Sequence, residues 1–245
     1  MIDRQSPQYQ EVIKARYMHA LAMESWADET RRDIATIPAE DILVKISSYF
    51  LERMKSGDVL FVGEGNLSFA LNIVKRTSVI ASRMTVTTYE DESHLSEFGR
   101  HNAATLRRLG ASVIPGVDAT NLEQRLFYRR FDTIVFQFPN VGSREPDEGR
   151  NPNFILVRDF LRSVAKHLQQ DGQVLITAVD SPYYHGAFQF DEAAAAGGFS
   201  KPDTYLFDLL KLPGYIHTNT NNTDSAIDGH DMFRTWVFSL KKEFY

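Results

Sequence analysis

The chain has 245 residues, no cysteine and a formal net charge of −5, with 43% hydrophobic and 12% aromatic residues. That apolar share suffices for a sizeable core and excludes disorder, while the missing cysteines exclude disulfides, thiolate metal sites and a cysteine nucleophile. The negative balance leaves no global attraction to polyphosphate, and a charged, mixed N-terminus predicts neither signal peptide nor membrane span, so the expectation is a cytoplasmic protein.

Residues 1–57 read as a helical cover, and 58–245 as the main domain. Ser6-Pro7 is a helix start, and Tyr9, Ile13, Tyr17 and Leu21 follow on one face. After the break at Ile37-Pro38, Ile42, Ile46 and Phe50 predict a second helix that Gly57 ends. From Asp58 strands are expected at 58–63, 84–90, 112–117, 132–138 and 172–179. Helices are expected at 67–77, 94–109, 121–128, 153–169 and 184–196. This alternation predicts an α/β, Rossmann-like fold with a mostly parallel sheet and helices on both faces. Two further strands, 203–210 and 233–240, have no helix between them. Polar loops at 139–152 and 211–232 are long enough to be functional.

The chemistry gathers where strands end. Gly63-Glu64-Gly65-Asn66-Leu67-Ser68 is a glycine bend between strand and helix, which lets a ligand approach the backbone beside free helix N–H groups. Glu90 or Asp91, ending the second strand, is placed to grip ribose hydroxyls. Asp118 and Ala119 follow the third strand, where a carboxylate can reach an adenine amino group or merely cap a helix. Phe136-Gln137-Phe138-Pro139-Asn140 ends the fourth strand and can equally form a turn. The joint placement favours S-adenosylmethionine over a dinucleotide. "DGHD" at 228–231 lacks a partnered ligand spacing and reads as loop, so no metal is expected.

In order along the chain, "VGEGNLSF", "GVDAT", "FDTIVFQFPNVG", "PYY" and "LPGYIH" resemble the eukaryotic large-subunit rRNA (uridine-N3) methyltransferase-like domain. The resemblance covers about residues 58–240. It implies a class I methyltransferase sheet whose last strand is antiparallel, with S-adenosylmethionine lined by Gly63, Glu64, Gly65, Ser68, Glu90, Asp118 and Ala119. To the same pocket we assign Asn66, Tyr89, Gln137 and Pro139, their neighbours at the strand tips.

Three positions depart from the family pattern. Asn140 stands where the family has histidine, Thr218-Asn219 where it has two arginines, and no lysine follows the fifth strand at Val179-Asp180-Ser181. Fewer cations and an acidic chain lead to the expectation of a small-molecule partner rather than nucleic acid. With residues 1–57 as a lid presenting Tyr17 and Trp26 to a sulfonium, the favoured chemistry is ring closure of S-adenosylmethionine on itself. It would give azetidine-2-carboxylate and methylthioadenosine, as in bacterial cyclases on methyltransferase scaffolds, with Asn140, Ser181 and Tyr183 as catalytic residues. Methyl transfer to a small acceptor or to rRNA uridine N3 is the alternative, and a purely regulatory S-adenosylmethionine-binding module the non-enzymatic one.

Overall fold

The computed structural model describes residues 54, 55, 57–143, 145–207, 209, 212, 214–218, 227, 229, 230 and 232–241. Nearly all of the expected helical cover, Tyr17 and Trp26 included, lies outside the described residues.

Among the described residues seven strands form one sheet: β1 (Val59–Val62), β2 (Met84–Thr87), β3 (Ser112–Ile114), β4 (Phe131–Gln137), β5 (Leu168–Val179), β6 (Asp203–Phe207) and β7 (Phe233–Ser239). Their order is β3-β2-β1-β4-β5-β7-β6. The first five pair in parallel, and β7 runs antiparallel to both β5 and β6. Every residue of β1 and β2 is buried, which is what a central parallel strand covered on both faces requires.

Among the described residues six helices flank the sheet: α1 (Ser68–Arg76), α2 (Glu97–Arg108), α3 (Glu123–Leu126), α4 (Pro152–Val164), α5 (Pro182–Phe188) and α6 (Phe190–Gly197). Strand alternation divides the core in two. Leu60, Val62, Ile134 and Val174 meet α4 and α6 on one face, while Phe61, Val86, Val135 and Leu175 meet α1 and α2 on the other. Fully buried rings such as Phe61, Phe69 and Phe160 each contribute about 1.5–3 kcal/mol of transfer free energy. Local signals set the helix starts. Ser96 Oγ accepts from Gly99 N–H at α2, and Asn151 Oδ1 accepts from Asn153 N–H ahead of Pro152 in the first turn of α4.

Beyond strands β2 and β3, which end three residues early, three boundaries differ from expectation. The single helix predicted at 184–196 is two, because Gln189 takes a left-handed conformation (φ 45) between α5 and α6. The break stacks Phe188 on Phe190 at 5.0 Å and brings Phe190 to 4.2 Å from Trp236, so ring packing outweighs helix continuity. The helix expected at 121–128 is a single turn, α3, behind a 3₁₀ turn at Ala119–Asn121. Strand β5 starts at Leu168 instead of residue 172, after α4 has ended and a 3₁₀ turn has covered Ala165–His167. Its pairing with β4 shifts register between Phe131 and Thr133.

Candidate active site

The parallel strands end on one edge, and a cavity of about 440 Å³ opens there. That volume lies in the range of small-molecule sites, and the edge is where open α/β sheets bind ligands. Gly63, Glu64, Gly65 and Asn66 lie after β1, Tyr89 after β2, and Val117, Asp118 and Ala119 after β3. Phe136 to Gly142 lie at and beyond the tip of β4, and Tyr215 to Thr218 close the remaining side.

The glycine bend is built for close approach. Gly63 has φ +66, and a Cβ there would fall 2.7 Å from the Phe136 ring. Leu67 enters α1 in a left-handed conformation with no side-chain cap of its own. Glu64 supplies the missing acceptor: its Oε2 takes the Ala70 N–H at 3.3 Å, and the carboxyl also accepts from Phe69 N–H. Only 7% of Glu64 is exposed. Desolvation pushes its carboxyl up to about 8, and those two backbone bonds offset only part of the rise.

The segment Tyr215–Thr218 is tied to this bend across the chain. Asn66 Nδ2 donates to Ile216 O at 2.8 Å. Ser68 Oγ lies 3.0 Å from both Ile216 N and Ile216 O, so it accepts from one and donates to the other. Tyr215 packs edge-on against Phe69 at 5.3 Å and lies nearly parallel to Phe138 at 6.4 Å. His217 stands edge-on to the same Phe138 ring at 5.4 Å. Burial, and then the charge of Glu64, push the Tyr215 phenol well above the ordinary tyrosine value.

The strand tips supply polar groups. Phe138 has φ 50, an uncommon conformation for a bulky residue, and turns the chain sharply at the end of β4. Asn140 Oδ1 accepts from Gly142 N–H at 2.9 Å, and Asn153 Oδ1 accepts from Val141 N–H at 2.9 Å, which holds the loop against α4. Gln137 carries its whole amide buried with neither atom hydrogen-bonded, and one buried oxygen of Glu90 also has no partner. Burial raises the Glu90 carboxyl, although backbone bonding and nearby His94 pull the other way. Asp118 both lines the cavity and caps the 3₁₀ turn, its Oδ1 accepting from Thr120 N–H and Oγ1–H at 2.8 Å. Unspent amide and carboxylate groups beside a glycine cradle fit a polar nucleoside such as S-adenosylmethionine.

Of the residues expected at the site, Gly63, Glu64, Gly65, Asn66, Tyr89, Asp118, Ala119, Gln137, Pro139 and Asn140 all line this cavity. Ser68 is buried behind the bend, and Glu90 follows Tyr89 outside the lining. Ser181 and Tyr183 are also outside the lining. Ser181 caps α5 by accepting from Tyr184 N–H, and Tyr183 is 53% exposed on that helix. Asp180, just before them, accepts from His185 Nε2 at 3.0 Å. Sequence reasoning missed Tyr215, Ile216, His217 and Thr218 as cavity residues; "LPGYIH" carried the family resemblance, but nothing local tied it to the glycine bend. Among the described residues no group of three His, Asp or Glu is arranged to hold a metal, and no helix is long and apolar enough to cross a membrane.

A doubly covered sheet with an antiparallel seventh strand, and a cavity at its strand tips, is the fold seen in S-adenosylmethionine-dependent methyltransferases. A glycopeptide N-methyltransferase solved with S-adenosyl-L-homocysteine shares the fold (TM-score 0.50, 16% identity, 80% of this chain and 86% of that one). So does a pyocyanin biosynthetic protein (TM-score 0.50, 12% identity, 93% and 61%). Within that class, the chain belongs to the BMT5-like family, described as rRNA (uridine-N3-)-methyltransferase BTM5-like, whose profile matches residues 60–219.

A mouse ferredoxin-fold anticodon-binding domain-containing protein 1 homolog is 32% identical over 180 residues, which is 68% of this chain and 28% of the relative. Heavy metal-associated isoprenylated plant protein 41 of Arabidopsis thaliana is 34% identical over 166 residues, 64% of this chain and 32% of the relative. The chain therefore spans less than a third of either. Membership of an rRNA-directed family overturns the expectation that nucleic acid is not a partner. That expectation rested on the net charge of −5 and on cations missing at Thr218-Asn219 and after the fifth strand, and neither reports the whole local field where RNA docks.

Proposed function

We propose that the protein methylates N3 of a uridine in ribosomal RNA, with S-adenosylmethionine as methyl donor. The observation that carries the reading is the cavity itself: unpartnered Gln137 and the glycine bend on one side, and the Phe138, Tyr215 and His217 rings on the other. Bound there, S-adenosylmethionine supplies an electrophilic methyl group. Gln137 gains partners for its amide when the polar ligand enters, so its desolvation is offset only in the loaded protein. The aromatic wall offers faces and edges to a flat pyrimidine, for which stacking contributes about 1–3 kcal/mol per base. His217 is the side chain we assign to accept the N3 proton, since it lines the cavity and is held by contact with Phe138. Buried Phe138 and Pro139 keep water from the reacting edge.

The test is incubation of the purified protein with S-adenosylmethionine and ribosomal RNA, followed by nucleoside digestion and mass spectrometry. 3-Methyluridine together with S-adenosylhomocysteine is expected; RNA that gains no methyl group overturns the reading.

One observation favours a second reading. No lysine or arginine is among the described residues lining the cavity, and two amides, Gln137 and Asn140, line it three positions apart in the sequence. Neutral amide oxygens suit an amine held against its own carbon chain, the arrangement needed for closure to azetidine-2-carboxylate. In that reaction a C–N bond forms at Cγ, the C–S bond breaks with its electron pair leaving on sulfur as methylthioadenosine, and the amine proton passes to water. Incubation with S-adenosylmethionine alone separates the two, because methylthioadenosine without any acceptor supports closure and an unchanged nucleoside excludes it.

A further inference from the structure

In nucleotide-binding folds of this topology, the N-terminus of the helix after β1 is the seat of a phosphate, because its free N–H groups and dipole favour an anion. Here that seat is taken by the protein. The first turn of α1 directs Phe69 and Ala70 N–H groups to the Glu64 carboxyl, and Leu67 contributes no competing cap. The same Glu64 lines the cavity and is almost fully buried. Among the described residues lining the cavity none is lysine or arginine, and the other titratable ones are Tyr89, Asp118, Tyr215 and His217.

We propose that Glu64 is the specificity-determining residue of the cavity, filling the phosphate seat of α1 so that the site selects a cationic nucleoside and rejects phosphorylated ones. The inference deepens the S-adenosylmethionine reading and rests on it. The ligand charge decides the outcome. S-adenosylmethionine carries a sulfonium and an ammonium against one carboxylate, its demethylated product is neutral overall, and ADP is strongly anionic. An anion keeps Glu64 protonated and finds the N–H groups of the first turn already taken, whereas a net cation draws Glu64 into its ionised form.

This form of selection leaves a proton signature. With its carboxyl at about 8 in the empty site, Glu64 is mostly protonated at neutral pH. Tyr215 is the titratable neighbour that feels its charge, and that phenol stays neutral throughout the accessible range. A cation therefore binds with loss of the Glu64 proton to solvent, and a neutral ligand does not require that loss.

Calorimetric titration at pH 7 in two buffers of different ionisation enthalpy reads both the affinity and the proton. Wild-type protein is expected to bind S-adenosylmethionine with release of close to one proton. S-adenosylhomocysteine, with the same nucleoside and amino-acid groups but no sulfonium, should release less, and ADP should bind at least about a hundredfold more weakly than S-adenosylmethionine. In Glu64→Gln the amide oxygen can still take a backbone N–H, the proton release should vanish, and the preference over ADP should narrow by about tenfold or more. An unchanged preference in that variant overturns the proposal. So does a wild-type protein that binds S-adenosylmethionine with no proton exchanged beyond that seen with S-adenosylhomocysteine, a result independent of whether the variant folds. Failure of wild-type protein to bind S-adenosylmethionine at all would instead remove the underlying reading.

Discussion

A carboxyl sealed from water weakens a fold whenever it must ionise, and Glu64 is in that position. Its folded value of about 8 lies above the ordinary 4.5. The folded state thus holds the proton more tightly than the unfolded chain, so ligand-free protein loses stability as pH rises from 4.5 towards 8. Below 4.5 both states are protonated and no penalty exists. Glu64→Gln should therefore leave the thermal midpoint almost unchanged at pH 4.5 and raise it at pH 8.5, where the gain in stability is on the order of a few kcal/mol. Thermal melts of both proteins across that range check the sign. Asn140 bears on turnover instead. Its carbonyl oxygen holds Gly142 N–H beside the cavity, and Asn140→Ala should lower the turnover number by about tenfold or more while changing S-adenosylmethionine affinity little. An unaltered turnover number would place Asn140 outside the chemistry.

At the scale of elements, the site depends on a join between α1 and the segment Tyr215–Thr218. Ser68 Oγ makes both a donor and an acceptor contact with the backbone of Ile216, and Asn66 adds a third bond. Ser68→Ala removes two of these and should cost about 1–3 kcal/mol. Amide exchange should accelerate at Ile216, and affinity for S-adenosylmethionine should fall, since one wall of the cavity is no longer held. Gly63→Ala should do damage of another kind, because the added methyl meets the Phe136 ring and the backbone is left-handed. A loss of about 1–2 kcal/mol from conformation alone, before any clash, is expected in chemical denaturation.

The same elements show what could be read from the chain. Val59–Val62 running into Gly63 announces strand, bend and helix because apolar periodicity and glycine punctuation are local. The acidic and amide residues at Asp118 and Gln137 were legible for the same reason, since strand tips of this fold share one edge. The Ser68–Ile216 bonds join residues 148 positions apart, and no short-range pattern encodes such a meeting. Gln189 was equally hidden. Its left-handed turn follows from the contact between Phe190 and Trp236, which only the finished sheet creates.

For the molecule as a whole, the cavity joins tips of strands from both halves of the parallel sheet, so a ligand there should tie the domain together. S-adenosylmethionine at a hundred times its dissociation constant should stabilise the native state by about 2.7 kcal/mol, visible as a rise in thermal midpoint that grows with ligand concentration. An unaffected midpoint over a wide concentration range would argue against the site. With ribosomal RNA as the substrate proposed above, association should weaken steeply as salt rises, since phosphate contacts release counterions.

The strand order carries one more consequence, for the protein as it leaves the ribosome. Strand β7 lies between β5 and β6, although it is made after both. Until residues 233–239 emerge, β6 has no strand to join and β5 presents an open edge of backbone donors and acceptors. A nascent chain halted between Phe207 and Phe233 would therefore display a sticky border, a place for chaperones to act or for two unfinished copies to pair. Synthesis runs in one direction along this sheet, and its closure waits for the last strand to slide into the middle.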